Sequence, residues 1–213
     1  MDSATLTMQI DELTAGVESN ADKISIGAQI KSWINPLSRG ERTLREVADS
    51  LKPIGMEQEQ VPFAIQLLEN PKYESVTLGL FPGATTLQQH DYIHMVLGRG
   101  LLPKDEAFVI GFTMGSTGRM NRFKSHLFTS LSTILYPKTY QMTAEDKVVF
   151  YNAVKLGSQC GCVSLAEVNF EAYLDLPLRE TRVRLGIDDN HLKASYHFEK
   201  RMFPDSFESQ RLL

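Results

Sequence analysis

The chain is poor in the residues that assign a function quickly. Its 213 residues include only two cysteines, set as Cys160-Gly161-Cys162. That step is too short for an ordinary disulfide, and two thiols fall short of a zinc–thiolate site. Positive charge is not in excess: 22 Lys+Arg stand against 26 Asp+Glu, a formal net charge of -4. A general nucleic-acid binder would show a strong basic surplus. No uninterrupted apolar run reaches the roughly 18 residues a membrane-spanning helix needs. The first basic residue is Lys23, preceded by Asp2, Asp11, Glu12, Glu18 and Asp22. Neither a secretory signal nor a transit peptide has that pattern. Residues 1–22 therefore read as a loosely ordered lead-in to one domain over 23–213. Internal repeats and low-complexity linkers are missing. So are alternating segments joined by Asn-Gly or Asp-Gly turns, and with them the usual signs of a sheet; Val76–Leu80 is the nearest strand candidate.

What is present is helical punctuation. Leu44, Val47, Ala48 and Leu51 recur at three-and-four spacing before Pro53, a helix and its stop. Pro62 suits the first turn of a helix with Ala64, Ile65, Leu67 and Leu68, ending at Asn70-Pro71. Thr143 opens another, carrying Val148, Val149, Val154 and Leu156, with Gly157 as its predicted stop. Ser164 and Glu167 have the spacing of a capping box ahead of Val168, Phe170 and Leu174. Pro177 starts a short helix with Leu178, Val183 and Leu185, closed by Gly186. The expectation is an all-α, single helical domain.

Chemistry is concentrated between Phe81 and Gly118. Thr85 or Thr86 can cap a helix that runs to about Gly98. On that helix His94 lies about 40° from His90, and Asp91 about 100° from it. Pro103 can open the next helix and place Glu106 in its first turn. A short connection makes the two helices antiparallel neighbours, so Glu106 closes over the His/Asp face. Two imidazoles with two carboxylates suit Zn, Fe or Mn; Mg or Ca accept imidazole less readily. Only five histidines occur in the chain, and two of them fall four apart beside an acid.

Two neighbouring motifs fail. A zincin needs His-Glu-x-x-His, with Glu as general base, and the second position here is Asp91. An HD-type phosphohydrolase needs a histidine upstream of the His-Asp pair, and none precedes His90. The pattern His90-Asp91-x-x-His94, followed after eleven residues by Glu106, instead resembles the HDxxH-x11-E signature of the coenzyme Q (ubiquinone) biosynthesis family typified by the fourth Coq protein. The segment Leu78-Gly-Leu-Phe-Pro-Gly-Ala-Thr-Thr upstream and Leu178–Ile187 downstream are similar to the same family, over roughly Val61 to Ile187. The chain departs from it at Asp105, where a Gly commonly precedes the Glu, and in the tail after Ile187.

The resemblance implies that His90, Asp91, His94 and Glu106 hold a divalent metal, usually described as zinc. It implies a mainly helical, peripheral membrane protein that rests on a membrane surface, as a homodimer, among other quinone-biosynthesis proteins. The implied ligand is a polyprenylated aromatic precursor or another isoprenoid lipid. The implied activity is C1 oxidative decarboxylation of the head group, a metal-dependent lyase reaction on a prenylated 4-hydroxybenzoate-type acid. The other reading is a non-catalytic prenyl-lipid-binding scaffold that organises the pathway enzymes. In the absence of a leader, the expected place is a bacterial cytoplasm, at the inner membrane face. No catalytic residue is assigned. Downstream, Gly111, Gly115 and Gly118 share one helix face, open to a partner helix or to a prenyl chain. Arg119, Arg122 and Lys124 form a local basic cluster that suits a substrate head group, a phosphate or an anionic lipid, or simply a solvated face. The stripe Leu127, Phe128, Leu131, Ile134 and Leu135 reads as core.

Overall fold

The computed structural model describes residues 27–54, 81–138 and 141–213. The lead-in over 1–22, the helix expected from Pro62 to Asn70 and the strand candidate Val76–Leu80 lie outside the described residues. Within them the architecture is all-α, and no strand occurs. No described helix is long and apolar enough to cross a membrane.

The first element of the core is α1, Leu44–Leu51. Thr43 and Glu46 form a reciprocal capping box at its start, so two of its free N–H groups are satisfied locally. Leu44, Val47 and Leu51 are buried on one side. The start of α1 is stitched to a distant segment: Leu44 N–H donates to Leu176 and Arg45 N–H to Leu174.

Next come the two helices that matter most. α2 spans Leu87–Leu97, opened by a Thr86/Gln89 capping box and closed by Gly98 in the left-handed conformation, φ 71°. From Tyr92 to Leu97 every residue is buried, as expected of a helix surrounded by others. α3 spans Pro103–Ser116 with Pro at its start. α4 is Arg122–Leu135, capped by Asn121, and α5 is Ala144–Gln159, opened by a Thr143/Asp146 capping box. Two 3-10 turns follow, Leu165–Glu167 and Phe170–Tyr173. α6 (Leu178–Leu185), α7 (Asp189–Met202) and the short α8 (Phe207–Gln210) complete the chain.

α3 and α5 are the most intimate pair. A Cβ on Gly111 would fall 2.6 Å from the Phe150 carbonyl oxygen, and one on Gly115 would press into that of Val154. Only hydrogen fits there, so the two backbones touch. The glycine stripe is thus helix packing at Gly111 and Gly115. Gly118 lies beyond the end of α3 with a positive φ, and a Cβ there would meet nothing within 4 Å.

Four local expectations need correction. Gly157 does not stop its helix: α5 continues to Gln159, and a Cβ on Gly157 would press into the Phe112 carbonyl of α3. Ser164 does not cap a helix. Its side chain makes no capping bond, and Leu165 N–H donates instead to Ser116 Oγ at the end of α3. Cys160 and Cys162 are disulfide-bonded, with Cα atoms 5.3 Å apart. Gly161, at φ 69°, turns the chain tightly enough to bring the two sulfurs together. The α4 stripe is only partly core: Phe128 is fully buried, but Ile134 is 74% exposed.

Candidate metal centre

The loop Gly98–Leu102 sets the site. It joins α2 to α3, and the chain turns back so that the first turn of α3 faces the middle of α2. Two features hold that turn. Gly98 N–H and Arg99 N–H bond the last carbonyls of α2, to Met95 and His94, while the buried Asp105 carboxylate accepts from Leu102 N–H at the start of α3.

The result is a group of three donors. His90, His94 and Glu106 each offer an atom within 4.8 Å of the others. The contacts are closer than that limit. His90 Nε2 lies 2.9 Å from Glu106 Oε2 and 3.0 Å from His94 Nε2, and His94 Nε2 lies 3.2 Å from Glu106 Oε1. Ligand bonds of about 2.1 Å put neighbouring donor atoms about 3.0 Å apart at right angles and about 3.4 Å apart in a tetrahedron. The three spacings fit a single small cation.

Proton placement supports the same reading. The His94 ring is fully buried, and its Nδ1–H donates to the Gly100 carbonyl at 2.6 Å. With the hydrogen on Nδ1, a neutral His94 turns a lone pair on Nε2 toward His90 and Glu106. A ligating histidine is held in this way, by a carbonyl or carboxylate on its other nitrogen. His90 Nε2 carries at most one hydrogen and faces two neighbours at hydrogen-bond distance. A cation at the centre serves all three groups at once.

Charge is organised around the group. Burial by itself would raise the Glu106 carboxyl, but when the two rings are protonated the attraction of His94 and His90 and their hydrogen bonds hold it well below the usual carboxylate range. Glu106 therefore stands ready as an anion. Its side chain remains 37% exposed, whereas that of His90 is 18% exposed, so the group opens to the surface along the Glu106 side. Asp91 lies outside the three-donor group, yet feels it: burial pushes its carboxyl up to about 6, against the pull of His90 and His94.

The basic cluster is elsewhere. Glu106 is in the first turn of α3, and Arg119, Arg122 and Lys124 follow its last residue, Ser116. Ten residues of helix separate the two ends by about 15 Å. Arg119 is exposed and pairs with Glu167 at 3.5 Å. The structure does not bring these three cations to the donor group.

Sequence reasoning missed what lies beneath the site. Arg99 is fully buried, bonded to Glu199 at 3.0 and 2.5 Å and stacked against the rings of Phe108 and Tyr196. Arg211, three residues from the C-terminal end of the chain, donates to Asp105 Oδ2 at 2.6 Å. The only local signal was a cation, Arg99, between two glycines and shortly before two adjacent acids. Its bidentate partner Glu199 is a hundred residues away, and no spacing rule reaches it. No protein-family model, no curated protein and no solved structure matches this chain.

Proposed function

We propose that the protein binds one divalent metal ion, zinc in the first instance, through His90, His94 and Glu106, with Asp91 beside the site rather than among the close donors. The observation that carries this reading is the convergence of two imidazole nitrogens and a carboxylate, with the His94 tautomer fixed by Gly100. Three close donors leave room in the coordination shell, as in sites that act on a substrate rather than merely brace a fold.

The substrate class rests on the spacing of the motif and its resemblance to the coenzyme Q biosynthesis family. On that reading the protein acts on a polyprenylated aromatic acid at a membrane surface: the C1 carboxyl leaves its head group as CO2 and a hydroxyl takes its place, water supplying the oxygen and a two-electron oxidant such as dioxygen taking up the electrons. A bound ion would supply Lewis-acid stabilisation of negative charge. The chain's own residues do the rest. Glu106 and His90 would hold the ion on its open side, from which a head group would approach. His94, buried and held by the Gly100 carbonyl, would fix the ion from within.

A second reading, the non-catalytic prenyl-lipid scaffold, is favoured by one observation. Phe123 and Ile134 on α4 are 72% and 74% exposed, and Phe123 directly follows Arg122, a combination suited to a lipid surface.

Metal content and product formation separate these readings. Protein prepared without added metal should contain about one equivalent by elemental analysis, and His94→Ala should lose it. Glu106→Gln should lower metal occupancy and abolish quinone production in cells that depend on this protein. Unchanged metal in His94→Ala removes the ligand assignment. Retained quinone production in a metal-free variant leaves the scaffold reading instead.

A further inference from the structure

The C-terminal segment reaches the metal centre from below, through a single arginine. Gly100, whose carbonyl fixes His94, has no room for a side chain: a Cβ there would stand 2.8 Å from both Asp105 Oδ2 and the Trp33 carbonyl oxygen, and closer still to Arg211 Nη2. Arg211 is therefore packed directly under Gly100. The same guanidinium donates to Asp105 Oδ2 at 2.6 Å and to the Lys31 carbonyl at 2.5 Å. Asp105 is fully buried, precedes Glu106, and ties the end of the loop by accepting from Leu102 N–H.

The rest of the segment braces this contact. Glu199 of α7 holds the buried Arg99, one residue from Gly100, and also accepts from Ser209 Oγ at 3.0 Å. Both ends of the loop that joins the two donor-bearing helices thus rest on residues 199–211: the His94 side through Gly100 and Arg99, the Glu106 side through Asp105. The Arg211 side chain is only 12% exposed, so its charge is neutralised by Asp105 in a poorly solvated place.

We infer that Arg211 is a positioning residue of the metal centre, setting the Gly100 carbonyl that orients His94 and the Asp105 carboxylate that orients the Glu106 turn. The inference rests on the metal-binding reading above. Removing Arg211 frees Gly100 and leaves Asp105 as a buried anion without its closest partner. The His94 ring and the first turn of α3 then lose their relative placement, and metal affinity falls although every ligand remains. Losses of outer-shell partners of metal sites are about 10–100-fold in affinity.

The test uses the full-length protein with Co2+ and Zn2+ as probes. Affinity is measured by competition with a chromophoric chelator, and the visible spectrum of the Co2+ form reports ligand geometry. The expected results are a 10–100-fold weaker affinity and an altered Co2+ spectrum for Arg211→Ala, with partial recovery in Arg211→Lys, which keeps the charge facing Asp105. Asp105→Asn, nearly the same shape, should show the same direction of change and covers the case in which Arg211→Ala does not fold. Leu192→Ala, a core cavity in α7 away from the network, controls for general loosening. Equal affinity losses in Leu192→Ala and Arg211→Ala overturn the inference, as do wild-type affinity and spectrum in Arg211→Ala and Asp105→Asn. If the wild-type protein binds neither ion, the metal reading falls and this inference falls with it. If His94→Ala abolishes binding while Arg211→Ala leaves it intact, only the positioning role is lost.

Discussion

Tyr196 sits beneath the buried pair of Arg99 and Glu199. Its ring packs against Phe108 and under the Arg99 guanidinium, and its hydroxyl donates to the Leu97 carbonyl at 2.5 Å. That carbonyl belongs to the last turn of α2, which otherwise leaves it without a helical partner. Burial pushes the phenol up to about 12, against the lowering pull of Arg99. The folded state thus keeps its proton at a pH where an unfolded tyrosine, near 10, has begun to lose it. The associated stability is fully present below about pH 10 and is lost as pH rises from there toward 12. Urea midpoints measured across that range should fall, and Tyr196→Phe should flatten the fall. At neutral pH the same variant should cost about 1–2 kcal/mol, for the lost hydrogen bond and the stranded carbonyl. A wild-type alkaline profile in Tyr196→Phe would assign the effect to some other group.

The helices explain both the firmness and the position of the site. α2 carries two of the donors and depends on its ends: the Thr86/Gln89 box and the left-handed Gly98. Thr86→Ala should cost about 1 kcal/mol of stability, and a far smaller change in metal affinity, because the histidines are one turn or more beyond the cap. Chemical denaturation and metal competition on the same variant check both halves. α3 is fixed by its glycine contact with α5. Gly115→Ala would force a methyl into the Val154 carbonyl, so the helices must separate. A cost of about 1–3 kcal/mol is expected, with the loss in folding stability read from urea titration. A neutral result would mean that the two backbones are not in contact there. Asp105 and the tail after Ile187 are far apart in sequence. In the folded protein they are bonded to each other through Arg211.

At the scale of the whole molecule, long-range polar ties do much of the joining. Arg182 is almost fully buried, pairing with Asp189 and donating to the Val96 carbonyl of α2 at 3.1 Å. Thr43 faces Pro177 in an isolated bridge that ties α1 to the start of α6. The Cys160–Cys162 bond contributes little by comparison. It closes a loop of only three residues, so the chain-entropy model allows about 1–2 kcal/mol at most. Reduction should therefore lower the melting temperature by no more than about 6 °C and leave metal content unchanged. Unfolding on reduction, followed by circular dichroism, would show that the bond holds far more than its own turn.

What the sequence by itself determined was local. A helix start at Thr143 and another at Thr85 or Thr86, the stops at Gly98 and Gly186, and the convergence of His90 and His94 with Glu106 all follow from spacings of three to sixteen residues. Such spacings are enforced by helix geometry and a short loop. Reading Gly157 as a stop and Ser164 as a cap failed because those residues answer to α3, far back in the chain. A lone glycine or serine does not say whether it serves its own turn or a neighbour's backbone. Tertiary structure alone decided that Asp91 stands apart from the three close donors, that Arg119, Arg122 and Lys124 lie at the opposite end of α3, and that residues 199–211 underlie the site. The reason is physical. A buried arginine must find its carboxylate wherever the fold supplies one, and here Glu199 and Asp105 lie about a hundred residues from their partners Arg99 and Arg211.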